Sequence, residues 1–248
     1  MKKLTVVLVL LFAIFEVAPL LAQSSKYPAL SEYMMAPEGE IALARSAAPE
    51  NVSARATVRI LTSAGYKVAA QGDNGFVCIV MRGWAGAPTF TPLPIRQMIV
   101  YSSKVRAPIC FDPVASRTVL PYHEFRAKLG MEGKDPDAIA SEVAMAYASG
   151  SLPKREGVAF AYMWSADMNL GPGAGAWHPH MMIYAPYYDN AMLGGNEPGG
   201  TAPVAGDDAG TPFAVVVIPV HGIQAIKSKA AAQNQMPERG SASSAETR

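Results

Sequence analysis

The chain has 248 residues, of which half are apolar, and this is enough material for one domain with a substantial core. It carries 21 Lys and Arg against 20 Asp and Glu, so its formal net charge at pH 7 is +1. Because a nucleic-acid-binding protein needs a net basic face, this balance disfavours that class, and we expect no nucleic-acid partner.

Residues 1–22 have the pattern of a bacterial secretory signal peptide. Lys2 and Lys3 precede an apolar run from Leu4 to Phe15. That run is shorter than the roughly 20 apolar residues of a membrane-spanning helix, and no other segment approaches this length. The pattern predicts export to the periplasm or the extracellular space, with no transmembrane segment in the mature chain. The alternative for this segment is an uncleaved membrane anchor.

The first elements of the mature chain are a helix and a group of short strands. Glu38 to Ala48 has apolar residues on one helical face and is followed by Pro49, which predicts a short amphipathic helix. From Ala56 to Met81 the sequence reads as three strands separated by turns, the second of which contains Asn74-Gly75, a dipeptide typical of β-hairpins. We therefore predict a three-stranded antiparallel meander.

Cys78 and Cys110 are the two cysteines of the chain. In an oxidising compartment such a pair is expected to form a disulfide, and closing this loop stabilises the fold by roughly 3 to 4 kcal/mol in the chain-entropy model. The alternative is two small buried thiols. Neither cysteine has CxxC spacing, which disfavours a redox-active or zinc-ribbon role.

The middle of the chain is irregular and then helical. Residues 83–108 are rich in proline and predict a long irregular crossing with a short strand at Gln97 to Tyr101. A helix is predicted around Tyr122 to Leu129. A second helix begins at Asp135, which is a good capping residue before Pro136, and it ends at Gly150.

The last third predicts three more strands, separated by loops rich in glycine. They lie within residues 157–164, 177–185 and 213–220, and the last is almost wholly apolar, which favours a central position in a sheet. The long connection from Gly194 to Gly210 has the composition of a functional or disordered loop. After Ile226 the chain is polar and rich in small residues, which is typical of a disordered tail.

Metal binding is the sharpest chemical hypothesis that the sequence supports. Residues 157–226 contain no Lys or Arg, but they hold three of the four histidines. His178 and His180 are separated by Pro179, so in an extended strand both rings project to the same side and are able to share one ion. Further ligands would come from Asp189 and His221, with Asp167, Asp207 and Asp208 as other sources. The alternative is that both rings make local hydrogen bonds.

Two other features of this region have a functional and a structural interpretation. Ser165, His178 and Asp189 are a serine, a histidine and an acid, but no spacing rule supports a catalytic triad. The region is also rich in aromatic side chains, which favour either a ligand pocket or the main core. These are Tyr162, Trp164, Trp177, Tyr184, Tyr187 and Tyr188.

Long stretches of the sequence resemble a set of uncharacterised exported bacterial proteins. They are AWHPHMMIYAPYYDNAMLGGN, GTPFAVVVIPV, IALARSAAPENVSARATV and NGFVCIV. The resemblance covers most of the mature chain and implies export and a single domain. It transfers no activity, cofactor or catalytic residue, because none is established for that set.

The patterns together predict an α+β fold, in which antiparallel strands form one or two sheets and two to three helices pack on one face. We expect a single globular domain at residues 23–226 and a disordered tail at residues 227–248. The function favoured is an exported binding or structural domain of the cell envelope without catalytic activity. The alternative is a metal-binding protein or metal-dependent hydrolase that uses His178 and His180 with a divalent metal. The sequence identifies no catalytic residue and no ligand.

Overall fold

A computed structural model describes most of the chain between residues 26 and 228. The described residues are 26–85, 93–155, 157–173, 178–196, 201–206, 209–220 and 227–228. The predicted signal peptide at residues 1–22 and residues 229–248 of the predicted tail lie outside this part of the chain. The fold is α+β, as the sequence predicts.

Eight strands form one mixed sheet in the order β2-β1-β3-β4-β5-β6-β8-β7. The strands are β1 (Thr57–Thr62), β2 (Gly65–Ala70), β3 (Val77–Met81), β4 (Ala107–Phe111), β5 (Ala159–Met163), β6 (His180–Tyr184), β7 (Val204–Ala205) and β8 (Val215–Pro219). Strands β1 and β3 are parallel, whereas the other neighbouring strands are antiparallel.

The predicted meander is wrong at its third strand. β1 and β2 form the expected antiparallel pair, but β3 lies beside β1, with Thr57 opposite Val77, and not beside β2. Burial explains this order, because all five residues of β3 are buried whereas β2 is half-buried or exposed along its length. The apolar strand therefore takes an interior position and the more polar one forms the edge of the sheet.

The connection from β2 to β3 crosses close to the start of β1, and Gly72 makes this crossing feasible. A Cβ atom at Gly72 would lie 2.2 Å from the carbonyl oxygen of Arg55 and 2.3 Å from the amide nitrogen of Thr57. The Gly72 N–H donates to Thr57 Oγ1 at 3.0 Å, and the Asp73 N–H donates to the Arg55 carbonyl at 3.0 Å. Only glycine fits so close to a neighbouring backbone.

Six α-helices are present in the described residues. They are α1 (Pro37–Arg45), α2 (Glu50–Ser53), α3 (Leu93–Tyr101), α4 (Pro113–Thr118), α5 (Leu120–Met131) and α6 (Pro136–Ala148). The predicted cap of α6 is confirmed, because the Ala138 N–H donates to Asp135 Oδ1 at 2.8 Å. No helix in the described part of the chain combines the length and apolar character needed to cross a membrane.

The predicted strand at Gln97 to Tyr101 is wrong, because these residues form the second half of α3. A short apolar run does not by itself distinguish a strand from a helix. Pro94 lies in the first turn of α3, where its missing N–H and fixed φ are compatible with a helix. Ile99 and Val100 are buried while Met98 is exposed, so tertiary packing decides the helical state.

The side chains of β3 alternate between two core clusters, one on each face of the sheet. Ile79 packs with Val119 and Leu120, at the junction of α4 and α5, on one face. Val80 packs with Leu43, from α1, on the other. The helices are thus divided between the two faces, whereas the sequence favours packing on one.

The disulfide between Cys78 and Cys110 is confirmed. The two residues lie directly opposite each other on β3 and β4, their Cα atoms are 3.9 Å apart, and both are fully buried. The bond therefore joins two adjacent strands in the interior of the sheet, on the face covered by α1.

The strands β6, β7 and β8 lie in residues 157–226, the region in which the sequence predicts a functional site. β6 pairs with β5 and β8, and β8 pairs on its other side with the two-residue strand β7. β8 is therefore next to the edge strand and not central as predicted. β7 belongs to the connection from Gly194 to Gly210, so that loop has some regular structure.

Candidate functional site

His180, the first residue of β6, is buried with 5% of its surface exposed. Its Nδ1 lies 2.8 Å from the carbonyl oxygen of His178. Because a carbonyl only accepts hydrogen bonds, Nδ1 carries the proton and Nε2 carries the lone pair of the neutral ring. Burial lowers the pKa of His180 to about 4, although the hydrogen bond to His178 acts in the opposite direction.

Among the described residues, the predicted metal ligands His178, His180 and Asp189 do not form a group able to hold a metal ion. The side chain of His178 is exposed and precedes β6, so it is not the strand neighbour of His180 that the spacing suggests. Asp189 Oδ1 accepts a hydrogen bond from the Met192 N–H at 2.9 Å and so closes a turn. His221 lies outside the described residues. Within the part of the chain that the structure describes, no three His, Cys, Asp or Glu side chains form a group able to hold a metal ion.

Ser165 belongs to a chain of hydrogen bonds with Ser46 and Asp167, and His178 is not among its hydrogen-bond partners in the described residues. Ser46 Oγ donates to the Leu43 carbonyl at 2.7 Å and lies 2.7 Å from Ser165 Oγ. Since Ser46 has one hydroxyl proton, Ser165 donates to Ser46, and Ser165 in turn accepts from the Asp167 N–H at 3.1 Å. The proton of Ser165 is thus held by another hydroxyl and not by a general base, which a nucleophilic serine requires.

The aromatic side chains of the last third divide between the interior and the surface. Tyr184 is 3% exposed and belongs to the main core, and Tyr162 packs against the cluster around the disulfide. Tyr187 and Tyr188 are 60% and 45% exposed, and Met192 is 65% exposed. Of the predicted aromatic group, Trp177 lies outside the described residues. We call Pro186–Met192 the tyrosine loop.

Tyr187 has an unfavourable backbone conformation at the tip of this loop. The Tyr188 N–H donates to the Ala185 carbonyl at 3.2 Å, which closes a four-residue turn with Pro186 in its second position. Tyr187 occupies the third position with φ of 67°, where turns of this type favour glycine. A left-handed conformation costs a residue with a side chain roughly 1 to 2 kcal/mol.

The tyrosine loop is held in place by hydrogen bonds to a neighbouring segment. The Tyr187 N–H donates to the Thr211 carbonyl at 2.7 Å, and the Gly210 N–H donates to the Tyr188 carbonyl at 2.8 Å. Asn190 Oδ1 accepts from the Ala205 N–H, in β7, at 2.7 Å. The two exposed rings therefore project from a loop whose backbone is well supported. The sequence signal for this arrangement is Pro186, a residue that favours the second position of a turn.

His123 is a buried titratable group that the sequence analysis does not single out. Both ring nitrogens are inaccessible to solvent and have no hydrogen-bond partner among the described residues. The ring centroid lies 5.4 Å from that of Phe111 and 5.0 Å from that of Tyr122. Burial, together with the positive charges of Arg155 and Arg126, lowers the pKa of His123 to about 3. The residue is therefore neutral at physiological pH.

Comparisons with known proteins identify no relative of this chain. No family model matches it, and neither curated proteins nor solved structures include a match.

Proposed function

We propose that this protein is an exported domain that acts by binding a partner, without covalent catalysis, and that the tyrosine loop is its contact surface. The observation that carries the proposal is Tyr187, which keeps φ of 67° while 60% of its surface is exposed. Backbone strain at a solvent-exposed aromatic residue costs stability without filling the core, and such strain clusters at binding sites.

The charge of the surrounding chain suggests the chemistry of the partner. Residues 157–226 contain five acidic residues and no Lys or Arg, and Asp189 lies within the tyrosine loop. Tyrosine rings attract cations at their faces, and exposed aromatic residues are enriched at protein interfaces. A segment of a partner protein that is rich in Lys or Arg fits this combination.

Export is the second part of the proposal. It is supported by the signal-peptide pattern at residues 1–22 and by the buried disulfide between Cys78 and Cys110, since disulfides persist in oxidising compartments. The resemblance to exported bacterial proteins points in the same direction.

Binding is tested with a lysine-rich peptide and a glutamate-rich peptide of equal length, each titrated against the purified protein. We expect the protein to prefer the lysine-rich peptide, and Tyr187→Gly to weaken this binding about tenfold, equivalent to roughly 1.4 kcal/mol. Because glycine tolerates the left-handed conformation, the same variant should unfold at a higher urea concentration than the native protein. Loss of binding together with a gain in stability distinguishes a contact residue from a residue needed for folding.

The matched control is Val68→Ser, which removes an exposed apolar side chain from the edge strand β2, where 51% of Val68 is accessible. This variant should bind the lysine-rich peptide with native affinity. Equal binding of both peptides, or native affinity in Tyr187→Gly, would contradict the tyrosine loop as the contact surface.

Export is tested by expressing the full chain in a bacterium, fractionating the cells, and treating each fraction with a thiol-alkylating reagent after unfolding the protein in urea, because both cysteines are buried. We expect a processed chain beginning near Gln23 in the periplasm or the medium, with Cys78 and Cys110 protected until a reductant is added. A full-length chain in the cytosol with both thiols alkylated would refute export. A chain with Lys2→Glu and Lys3→Glu serves as the control, because it lacks the positive start of the signal peptide.

A further inference from the structure

A cavity of about 170 Å³ lies where the end of α1, the helix α2 and residues 227–228 meet. Polar side chains on its wall include those of Arg45, Ser46, Ser53 and Lys227, with the exposed Glu50 beside them. We call it the Arg45 pocket. Its volume is below the roughly 300 to 1,000 Å³ of pockets for drug-sized ligands, so an occupant would be a small molecule.

Arg45 is the residue that marks this cavity as a site. Its Nε is buried and has no hydrogen-bond partner, and the described residues provide no ion pair for its guanidinium. By contrast, Arg55 and Arg82 each pair with a carboxylate. A buried N–H without an acceptor is costly, and a guanidinium at a cavity wall satisfies its donors when a bound anion accepts from them.

Ser53 supplies a second donor on the same wall. It is 5% exposed, and its hydroxyl makes no hydrogen bond to any described residue. The hydroxyl of Ser46 differs, since its single proton is already donated to the Leu43 carbonyl. The pocket thus offers the N–H groups of Arg45 and the hydroxyl of Ser53 as hydrogen-bond donors. No described side chain accepts a hydrogen bond from either residue.

The charges around the cavity limit what it accepts. Arg45 and Lys227 are positive and Glu50 is negative, so the lining has one excess positive charge. A planar guanidinium binds carboxylate and phosphate oxygens in pairs. We propose that the Arg45 pocket binds a small organic anion with one carboxylate or phosphate group, held by Arg45 and Ser53. The tyrosine loop plays no part in this inference.

The test is a titration of the purified ¹⁵N-labelled protein, with its disulfide intact, followed by nuclear magnetic resonance. The probes are propionate and methyl phosphate, and sodium chloride at the same ionic strength is the reference. We expect a saturable shift of the Arg45 Nε–H resonance and of the Ser53 amide with at least one probe. A response to propionate alone identifies a carboxylate ligand, and a response to methyl phosphate alone identifies a phosphate ligand.

Variants distinguish binding in the Arg45 pocket from unspecific attraction of anions to positive charge. Arg45→Gln and Ser53→Ala should each lower the affinity for the responding probe about tenfold. The affinity of Arg45→Lys should lie between those of Arg45→Gln and the native protein, because lysine keeps the charge but loses the paired donors. Arg55→Gln is the matched control, since Arg55 is an exposed arginine away from the pocket. The Ser53→Ala amide spectrum verifies that the fold is intact. Shifts that never exceed those of chloride, or native affinity in Arg45→Gln, would overturn the proposal.

Discussion

Glu40 and Arg82 form an ion pair in which Oε2 and Nη2 are 2.8 Å apart and both side chains are at most 1% exposed. Glu40 Oε1 also accepts from the Leu61 N–H at 3.1 Å, and Arg82 Nε donates to the Tyr33 carbonyl at 2.9 Å. The pair therefore joins α1, the strand β1 and the N-terminal segment to the end of β3. Removing one partner leaves the other charge buried and uncompensated.

We expect Glu40→Gln to lower the free energy of unfolding by about 3 to 5 kcal/mol, the usual cost of breaking a buried ion pair. The double variant Glu40→Leu/Arg82→Met should lose less unfolding free energy than the sum of the losses in Glu40→Leu and in Arg82→Met, because it leaves neither charge unpaired. Urea unfolding followed by circular dichroism measures both. Arg55→Met, in the exposed pair with Asp73, is the control and should leave the urea midpoint unchanged. An additive double variant would mean that the pair is not energetically coupled.

Gly72→Ala should destabilise the protein by about 3 kcal/mol, because the new Cβ would overlap backbone atoms that are not free to move. The nearest of these, the Arg55 carbonyl oxygen, would be 2.2 Å away. The matched control is Gly39→Ala in α1, where a Cβ meets nothing within 4 Å. The free energy of unfolding of that variant should rise by roughly 0.5 to 1 kcal/mol, because alanine has a higher helix propensity than glycine. Thermal unfolding of the two variants gives the comparison, and equal midpoints would refute the close crossing at Gly72.

The stability of the protein should fall as the pH is lowered below about 6.5, because of His123. Its pKa is about 3 in the folded protein against 6.5 in the unfolded chain, so between these values the unfolded state binds a proton that the folded state does not. Stability is complete above pH 6.5 and decreases by about 1.4 kcal/mol per pH unit towards pH 3. His180, with a pKa of about 4, acts with the same sign.

Urea unfolding of the native protein and of His123→Leu at pH 7 and pH 5 measures this effect. Because leucine does not titrate, the free energy of unfolding of the variant should fall by roughly 2 kcal/mol less than that of the native protein between pH 7 and pH 5. His178→Gln is the control, because it also removes a histidine but one whose side chain is exposed. An identical pH dependence in His123→Leu would show that His123 is not the group responsible.

The metal hypothesis for His178 and His180 is decided by elemental mass spectrometry on protein purified without an affinity tag. We expect no stoichiometric metal in the native protein, since within the described residues no three His, Cys, Asp or Glu side chains form a group able to hold an ion. A metal ion present at one equivalent, and lost in the double variant His178→Ala/His180→Ala, would contradict this expectation. It would make the metal-binding function the leading one.

Part of this protein can be read from short stretches of its sequence, because the responsible interactions are local. Asp135 caps α6 through an amide three residues away, and Gly150 follows the helix with φ of 75°. The same holds for the strands β5, β6 and β8, whose apolar residues are contiguous. The disulfide is predictable for another reason: with two cysteines there is one pairing available.

The tertiary structure decided what depends on residues distant in the sequence. The β3 strand pairs with β1 because its five buried residues need an interior position, and residues 97–101 are helical because of their packing. The candidate sites are of the same kind. Arg45 and Ser53 line one cavity only when α1 and α2 meet residues 227–228, and Tyr187 is held in its turn by Thr211. Local patterns carry no information on such long-range contacts. The sequence alone therefore determined the disulfide and the elements with strong local signals, such as α6, whereas the folded chain determined the helical state of residues 97–101, the order of the strands and the sites.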